Sequence, residues 1–393
     1  MPSVSRVRSP ESGAAILIAA SSGRALAGAA KRAGFRPLAA DFFDDLDTRG
    51  LCASNRLVEG GLDQGFTEEN LLPALEALAA GEAPCGFVYG AGFEDRPELL
   101  ELVARRFTVF GNSPDVVRQV KDPVRLAKLC ATLDIPHPMI RLALPGDRWN
   151  WLVKTVGGAG GSHVAPAGTA RLADETIYYQ RIAAGDPVSV LFVADGAKAQ
   201  IIGLSRQWAA PAPGEPFRFG GALRPAGAVL GIEGQLRRAV KAITAACRLR
   251  GLNSVDFLVE GGGYMLIEIN PRPGATLDIF ENRGGALFAA HIESCHGRLP
   301  RRPLVFGGAA AAGIVYAPRD IPSLPEFDWP CWTADRQKAQ SDVPAQAPLC
   351  TIKARAAEPS RLRALLEARA DWILGRLQQD QHKVDIMGKE TAH

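Results

Sequence analysis

Residues 253–278 read NSVDFLVEGGGYMLIEINPRPGATLD, and this stretch decides the fold because it encodes two strands joined by glycines. Apolar and polar residues alternate over 254–260 and again over 264–270, which is the periodicity of β-strands. A three-residue loop over 261–263 is expected between them, because such loops need a residue at positive φ, which glycine adopts readily. The sequence therefore predicts a β-hairpin with a glycine tip.

The predicted register puts three oxygen-bearing side chains on one face of this hairpin. It pairs Asp256 directly with Glu268, and Asn270 shares their face because it lies two residues beyond Glu268. Two facing carboxylates repel each other unless positive charge lies between them, and Mg²⁺ prefers such hard oxygen ligands together with substrate phosphates. These three residues are the candidate metal ligands. The alternative is a solvated hairpin face that carries two unrelated acids.

The residues after Asn270 favour the metal site over this alternative. Prolines stand on both sides of Arg272, where they end the strand and stiffen the approach of the arginine. A guanidinium beside a metal suits a phosphate or an acyl-phosphate oxygen. Arg272 is therefore a candidate catalytic residue.

Composition excludes several classes of function. The chain has 393 residues, 47% hydrophobic and 22% charged, with a net charge of +3, so it is an ordinary globular protein and not a strongly basic nucleic-acid binder. No apolar run approaches the roughly 20 residues of a membrane helix. The seven cysteines are widely spaced without a CxxC pair, which favours reduced thiols in a cytoplasmic enzyme.

The first part of the chain predicts a parallel sheet. Over 13–117, short apolar strands alternate with helical segments, which is the pattern of a sheet with helices on both faces. The G-x-G-x-x-G fingerprint is absent after the first strand, so a nicotinamide or flavin site is disfavoured. Glu94 and Arg24 follow strand ends, where α/β sheets bind ligands, and are weaker candidates for substrate contacts.

A second glycine-rich hairpin precedes the acidic one. A strand over 149–156 carries Lys154, and a second strand is expected over 162–164 after the glycines. Glycine backbones approach phosphate oxygens closely, and the lysine neutralises phosphate charge. The lysine precedes the glycines, so this is not a Walker A loop. A glycine hairpin without phosphate binding remains the alternative. Further along, a final helix is expected over 359–378.

Together these features resemble the ATP-grasp superfamily. The shared order is an N-terminal α/β domain, a lysine strand with a glycine loop, a hinge strand and then an acidic hairpin ending in EINPRPG. VYGAGFEDRP, FGNSP with KDP, and GLNSVDF resemble a predicted ATP-dependent carboligase subgroup related to biotin carboxylase. The resemblance implies an α/β and α+β architecture, the ATP-grasp fold with an N-terminal Rossmann-like pre-ATP-grasp domain.

The resemblance also implies domain boundaries. The expected segments are a mobile leader (1–12), the pre-ATP-grasp domain (13–117), the ATP-grasp domain (118–305) with a lid subdomain (about 140–190) and the metal-binding hairpin (253–274), and a C-terminal segment that completes the core (306–393).

Residue roles follow from the same resemblance. Lys121 and Lys154 match lysines that contact ATP phosphates and the adenine side, and Arg272 matches the residue that steadies the transferred phosphoryl group. Asp256, Glu268 and Asn270 match ligands of Mg²⁺ (or Mn²⁺). The other nucleotide-binding candidates lie in the mobile lid and the adenine hinge: Gly157, Gly158, Gly160, Gly161, Ser162, Gln180, Arg181 and Ile182. Arg181 stands where many relatives have glutamate, which puts the adenine contacts in doubt.

The implied activity is an ADP-forming ligase of the carboxylate–amine type. It activates a small carboxylic acid as an acyl phosphate with ATP and joins it to a small amine, as an amino-acid ligase of cofactor biosynthesis would. The alternatives are a carboxylase-like enzyme that uses bicarbonate and a non-catalytic nucleotide-binding subunit. A homodimer is common in relatives, while the cysteine pattern, the low net charge and the short apolar runs predict a cytoplasmic protein without nucleic-acid or membrane partners. Arg206 and Arg218 are candidates for pairing with a substrate carboxylate, and the alternative for each is an exposed surface arginine.

Overall fold

The computed structural model describes residues 13–168, 176–227, 231–280 and 284–390. Within these ranges the chain builds three β-sheets with helices packed against them. The leader expected over 1–12 lies outside the described residues.

The N-terminal sheet is parallel and has five strands. They are β1 (Ala15–Ala19), β2 (Arg36–Asp41), β3 (Ser54–Leu57), β4 (Phe87–Tyr89) and β5 (Val109–Phe110). The sheet order is β3-β2-β1-β4-β5. All five residues of β1 are buried, as expected of a parallel strand covered on both faces. The associated helices are α1 (Arg24–Arg32), α2 (Leu46–Leu51), α3 (Gly61–Gln64), α4 (Glu68–Ala79) and α5 (Glu98–Ala104). The predicted Rossmann-like sheet is confirmed.

Two short helices connect this sheet to the rest of the chain. They are α6 (Pro114–Lys121) and α7 (Pro123–Thr132). The Asp122 side chain caps α7 by accepting hydrogen bonds from the two backbone amides of Val124 and Arg125. Because Asp122 and the proline after it end α6, Lys121 is fixed at the last position of that helix.

A small antiparallel sheet follows. Its strands are β6 (Ile140–Arg141), β7 (Trp151–Thr155), β8 (Val164–Pro166) and β9 (Ile177–Arg181), in the order β6-β9-β7-β8. The second strand of the glycine hairpin begins at Val164, so the prediction of a strand over 162–164 is wrong. The Val164 amide bonds to the Gly161 carbonyl, which keeps residues 161–163 in a turn.

The largest sheet is antiparallel and has eight strands. They are β10 (Asp186–Asp195), β11 (Ala199–Ala209), β12 (Phe219–Arg224), β13 (Arg250–Glu260), β14 (Gly263–Asn270), β15 (Ala309–Tyr316), β16 (Thr333–Ala334) and β17 (Pro348–Ala356). The order is β14-β13-β10-β11-β12-β15-β17-β16, so strands from the C-terminal segment continue the sheet that carries the acidic hairpin.

The remaining helices cover this sheet. They are α8 (Glu233–Cys247), α9 (Ala286–Cys295) and α10 (Leu362–Glu390). One core cluster packs α6, α7 and α8 on one face of β10, and a second packs α1 and α9 on its other face. The final helix begins at Leu362 and runs to Glu390, and not over 359–378, because residues 359–361 form a 3-10 turn.

The acidic hairpin differs from its prediction in one instructive way. Its turn is two residues long, Gly261 and Gly262, at φ +57° and +81°, and Glu260 pairs with Gly263. The expected three-residue loop is therefore wrong. A bulge leaves Ile267 as an extra residue in β14, and beyond it Asp256 pairs with Glu268. The predicted pairing of the two acids is confirmed because the bulge compensates for the shorter turn.

Candidate active site

The candidate metal ligands lie together near one edge of the eight-stranded sheet. Asp256 of β13 stands opposite Glu268 of β14, and the Asn270 Nδ2 donates a hydrogen bond of 2.9 Å to Asp256 Oδ2. The three side chains converge because strand periodicity and the bulge turn them to one face. The arrangement offers carboxylate and amide oxygens to a hard cation.

Lys121 reaches this cluster from the end of α6. Its Nζ lies 2.5 Å from Glu268 Oε1 and 3.4 Å from Asn270 Oδ1. Burial raises the pKa of Glu268, but the charges of Lys121, His163 and Lys154, together with the hydrogen bond from Lys121, hold that pKa below its usual range. Lys121 therefore contributes most to keeping this acid ionised.

Among the described residues, no lysine or arginine forms an ion pair with Asp256. Burial, and then the charge of Glu268, raise the pKa of Asp256 to about 6. Its Oδ1 is buried without a hydrogen bond of normal geometry to any described residue, although Ser189 stands directly opposite on β10. A buried carboxylate oxygen without a donor is costly, and a bound cation would satisfy it. The residues present thus fit Mg²⁺ or Mn²⁺.

Arg272 forms a buried ion pair with Glu94 of the N-terminal domain. Its Nε donates to Glu94 Oε1 at 2.7 Å, and its Nη2 lies 3.3 Å from Asn270 Oδ1. Although burial opposes ionisation, Arg272 lowers the pKa of Glu94 to about 2. Arg272 therefore lies beside the candidate metal ligands, and Glu94, which follows β4 of the N-terminal sheet, holds it in place.

We call residues 157–163, which the resemblance predicts to be a lid, the glycine lid. Lys154 lies just before them on β7, between Val164 of β8 and Tyr178 of β9, and its side chain is buried. Burial lowers the pKa of Lys154, and the carboxylate of Glu268 is close enough to oppose that shift. The lid lysine and the acidic hairpin thus share one electrostatic environment.

The glycine lid packs against two other parts of the chain. A Cβ atom on Gly157 would lie 2.5 Å from Asp95 Cα and 2.7 Å from the Glu94 carbonyl oxygen. A Cβ atom on Gly161 would lie 2.0 Å from the Phe217 carbonyl oxygen. Glycine is therefore required sterically at both positions. Ser162 is exposed at the far end of the lid.

His163 is a further candidate site residue, and the sequence alone does not predict it. Its ring packs on Gly158, where a Cβ would lie 2.3 Å from His163 Cγ. Its Nδ1 lies 3.3 Å from the Ala159 carbonyl oxygen, which can only accept, so Nδ1 carries the proton in this contact. Burial lowers the pKa of His163, and Glu268 opposes the shift. No sequence signal separates such a histidine from an ordinary turn residue.

The expected adenine hinge lies in β9. Gln180 is buried and its Nε2 has no hydrogen-bond partner among the described residues. The Arg181 and Ile182 amides donate to the carbonyls of Met139 and Asn150, at 2.8 and 2.9 Å. Base recognition by these two residues would therefore use their carbonyl groups.

The two arginines predicted to pair with a substrate carboxylate lie in different surroundings. Arg206 is partly exposed and pairs with Asp186 at 2.6 Å, on a strand adjacent to β10. Arg218 is buried, stacks over the Tyr316 ring at 3.6 Å and donates to the carbonyls of Ala210 and Gln346. These contacts give Arg218 a structural role between β12 and the C-terminal segment.

Comparison with protein families identifies one domain in this chain. Residues 124–276 match the family model described as an ATP-grasp domain. The chain thus carries an ATP-grasp domain over these residues, and its overall fold is the ATP-grasp fold. Comparison with curated protein sequences gives no match. Within the described part of the chain, no helix is both long and apolar enough to cross a membrane.

Three solved structures illustrate the likeness. A pyruvate carboxylase from Rhizobium etli has a TM-score of 0.70 at 14% identity, over 94% of this chain and 38% of that one. The biotin carboxylase domain dimer of 2-oxoglutarate carboxylase from Hydrogenobacter thermophilus, with MgADP, ADP and bicarbonate, has 0.68 at 11%, over 88% and 87%. N5-carboxyaminoimidazole synthetase from Staphylococcus aureus has 0.64 at 13%, over 91% and 98%. At these identities the likeness establishes the fold, and this chain spans under two fifths of the pyruvate carboxylase.

Proposed function

We propose that this protein is an ATP- and Mg²⁺-dependent, ADP-forming ligase that activates a carboxylic acid as an acyl phosphate and joins it to an amine. The observation that carries the proposal is the largely buried oxygen cluster beside Arg272, formed by Asn270, which is buried, and by Asp256 and Glu268, which are half-buried. In a chain with an ATP-grasp domain, an orphaned carboxylate oxygen next to a guanidinium suits a metal-bound triphosphate.

Each residue has a distinct task in this mechanism. Asp256, Glu268 and Asn270 would hold Mg²⁺, which supplies charge neutralisation on the phosphate oxygens when bound. Lys121 and Lys154 add positive charge on the phosphate side. Arg272 stabilises the transferred phosphoryl group and the acyl phosphate.

The lid contributes by excluding water. Its glycines allow close approach of backbone amides to phosphate, and its contact with the 94–95 backbone places it beside Glu94, the partner of Arg272. Water exclusion protects an acyl phosphate, which hydrolyses readily. The nucleotide would be held between this lid, the hinge over 180–182 and the acidic hairpin.

The reaction balances without a covalent enzyme intermediate. A substrate carboxylate oxygen attacks the γ-phosphorus of ATP, the bond to the β-phosphate oxygen breaks, and ADP leaves. The amine nitrogen then attacks the acyl carbon, the bond to the phosphoryl oxygen breaks, and phosphate leaves while the amine loses its proton to solvent. The protein's contribution is positioning and electrostatic stabilisation.

A carboxylase-like reaction is the second candidate. The Hydrogenobacter thermophilus structure of the same fold contains bicarbonate and MgADP. In that case bicarbonate would take the place of the carboxylic acid. A non-catalytic nucleotide-binding subunit is the third candidate, and it would bind MgADP without turnover.

The test measures ADP release from MgATP with a panel of carboxylic acids, including amino acids, and with bicarbonate, each with and without amines. Hydroxylamine serves as a trapping nucleophile that converts an acyl phosphate to a hydroxamate. Asp256→Asn and Glu268→Gln are expected to lower ADP release by roughly 100-fold or more, because each removes a charged ligand of the cation.

The matched control is Glu260→Gln, an exposed acid on the same strand as Asp256, which should retain activity. Full activity in Asp256→Asn would contradict the metal assignment. ADP release that requires bicarbonate and gives no hydroxamate would favour the carboxylase-like reaction, and tight MgADP binding without any turnover would favour the non-catalytic subunit.

Cellular placement and assembly belong to the same proposal. We infer a cytoplasmic enzyme, since all seven cysteines are free, and cell fractionation tests this. A homodimer is supported by the dimeric Hydrogenobacter thermophilus domain. Light scattering on the purified protein distinguishes it from a monomer.

A further inference from the structure

We propose that Glu94 is a positioning residue for Arg272, and that its loop, residues 92–95, also seats the glycine lid. Docking of the lid and placement of the catalytic arginine would then depend on one another. This inference rests on the proposed function for its catalytic meaning, but its structural content is testable without any substrate.

The carboxylate of Glu94 is held at both of its oxygens. Its Oε2 accepts hydrogen bonds from the amides of Gly92 and Phe93, at 2.8 and 3.0 Å, and its Oε1 accepts from Arg272 Nε at 2.7 Å. The side chains of Glu94 and Arg272 are 2% and 10% exposed. A carboxylate held at both oxygens inside the protein fixes the guanidinium that it binds.

The two terminal nitrogens of Arg272 are held only weakly. Its Nη1 and Nη2 contact the Pro273 carbonyl and Asn270 Oδ1 at 3.4 and 3.3 Å, which are long hydrogen bonds. An incoming phosphate oxygen can replace these contacts while the short bond from Nε to Glu94 persists. Glu94 therefore holds the arginine by one edge and leaves the other edge for the anion.

The backbone of residues 94–95 also contacts the glycine lid. Gly157 of the lid lies against Asp95 Cα and the Glu94 carbonyl oxygen so closely that a Cβ atom would lie 2.5 and 2.7 Å from them. The lid thus rests on the residue whose side chain holds Arg272. Because the contact is backbone to backbone, a shift of residues 94–95 moves the seat of the lid and the anchor of Arg272 together.

The first experiment compares Glu94→Gln with Glu76→Gln in the full-length protein without metal or nucleotide. Glu76 binds Arg106 Nε at the same distance of 2.7 Å, but both side chains are well exposed. Hydrogen exchange of the lid peptide 157–163 is expected to be about tenfold faster in Glu94→Gln and unchanged in Glu76→Gln. Exchange of 186–195 in the central sheet reports whether the variant is folded.

A second variant covers loss of folding. If Glu94→Gln exposes the central sheet, Glu94→Asp keeps the charge but shortens the side chain, and it is expected to loosen the lid without exposing 186–195. If Glu94→Gln is folded and its lid exchanges at the wild-type rate, the coupling is overturned. If Glu94→Gln is unfolded, a wild-type rate of lid exchange in Glu94→Asp overturns it.

The second experiment is a double-variant cycle between Glu94→Gln and Gly157→Ala. Their effects on lid exchange are expected to be non-additive, because both act on one contact. Gly160→Ala is the matched control, since Gly160 has a similar φ of +71°, against +75° for Gly157, but a Cβ atom placed on it would meet no atom within 4 Å. Additive effects for Gly157→Ala, like those expected for Gly160→Ala, would overturn the proposal.

The third measurement links the loop to chemistry. With MgATP and the acid that gives turnover, Glu94→Gln is expected to lower kcat for ADP release at least about tenfold while MgADP affinity stays within about threefold. A parallel loss of MgADP affinity and kcat would indicate a merely structural role and overturn the positioning of Arg272. If the wild-type protein binds no MgADP, the proposed function fails, and the exchange experiments still decide the coupling.

Discussion

Lys121 is the residue that compensates the acidic hairpin in the metal-free protein. Its ammonium lies 2.5 Å from Glu268 Oε1 and is almost fully buried. Lys121→Met removes this charge and leaves the half-buried Glu268 carboxylate without its nearest cation, which is expected to lower the free energy of unfolding by about 2 kcal/mol. Millimolar Mn²⁺ should restore more stability to the variant than it adds to the wild type.

Urea unfolding with EDTA and with MnCl₂ measures both effects. Lys128→Met, on the exposed side of α7, is the matched control. If Mn²⁺ stabilises Lys121→Met and the wild type equally, the lysine and the metal do not neutralise the same carboxylates, Asp256 and Glu268.

The sequence identifies residues whose neighbours are local and misses those whose partners are distant. Asp256, Glu268 and Asn270 belong to one hairpin, so strand periodicity alone brings them together. Glu94 meets Arg272 across 178 positions of sequence. The strand-end rule points to Glu94 as a ligand residue but gives no means to find its guanidinium partner.

At the scale of single elements, helix α2 carries a titratable cap. Asp45 accepts hydrogen bonds from the Thr48 amide and hydroxyl, at 2.8 and 2.9 Å. Burial, then the charges of Asp335 and Asp41, raise the pKa of Asp45 to about 7 from 3.8. The folded protein therefore binds more protons than the unfolded chain between about pH 4 and 7, and this group's contribution to stability falls as pH rises through that window.

Asp45→Asn keeps an oxygen to cap the helix but removes the titration. Relative to the wild type, the variant is expected to gain about 3 kcal/mol of stability between pH 4 and pH 7. Urea unfolding at several pH values measures the difference. Asp115→Asn, which removes an exposed acid from the first turn of α6, is the matched control. A stability difference that does not change with pH would contradict the raised pKa.

The type of most elements is readable from local pattern, whereas their exact ends are not. The apolar runs of β1 and β4 and the caps of α6 and α7 are recognised because burial and capping act over a few residues. The short strand β12 is missed, since its FGGALR sequence has two glycines and gains its pairing from β11 and β15.

At the scale of the whole molecule, one buried arginine connects three segments. Arg24, at the start of α1, donates to Asp278 at 2.5 and 2.6 Å and to Asp335 at 2.7 and 2.9 Å. Asp278 lies just after the acidic hairpin, and Asp335 follows β16. Arg24→Met is expected to destabilise the protein by about 3–5 kcal/mol, because it leaves two carboxylates in a buried site without their main cation.

Urea unfolding measures this loss, and Arg36→Met, which removes an exposed partner of Glu82, is the matched control. An effect no larger than that of the control would contradict a connecting role for Arg24. The sequence predicts the separate segments but not this junction, since the three residues are more than 50 positions apart and only the folded chain brings them together.

The bulge in β14 has a consequence for how related hairpins are to be matched. Asp256 and Glu268 are twelve positions apart, and a straight ribbon with a three-residue tip would give the same spacing. Two different backbones are therefore compatible with one string of letters. If residues are paired by counting outward from the glycine turn, Asp256 is matched to Ile267 and not to Glu268. An alignment of related hairpins that superposes the two acids instead places the extra residue in the bulge.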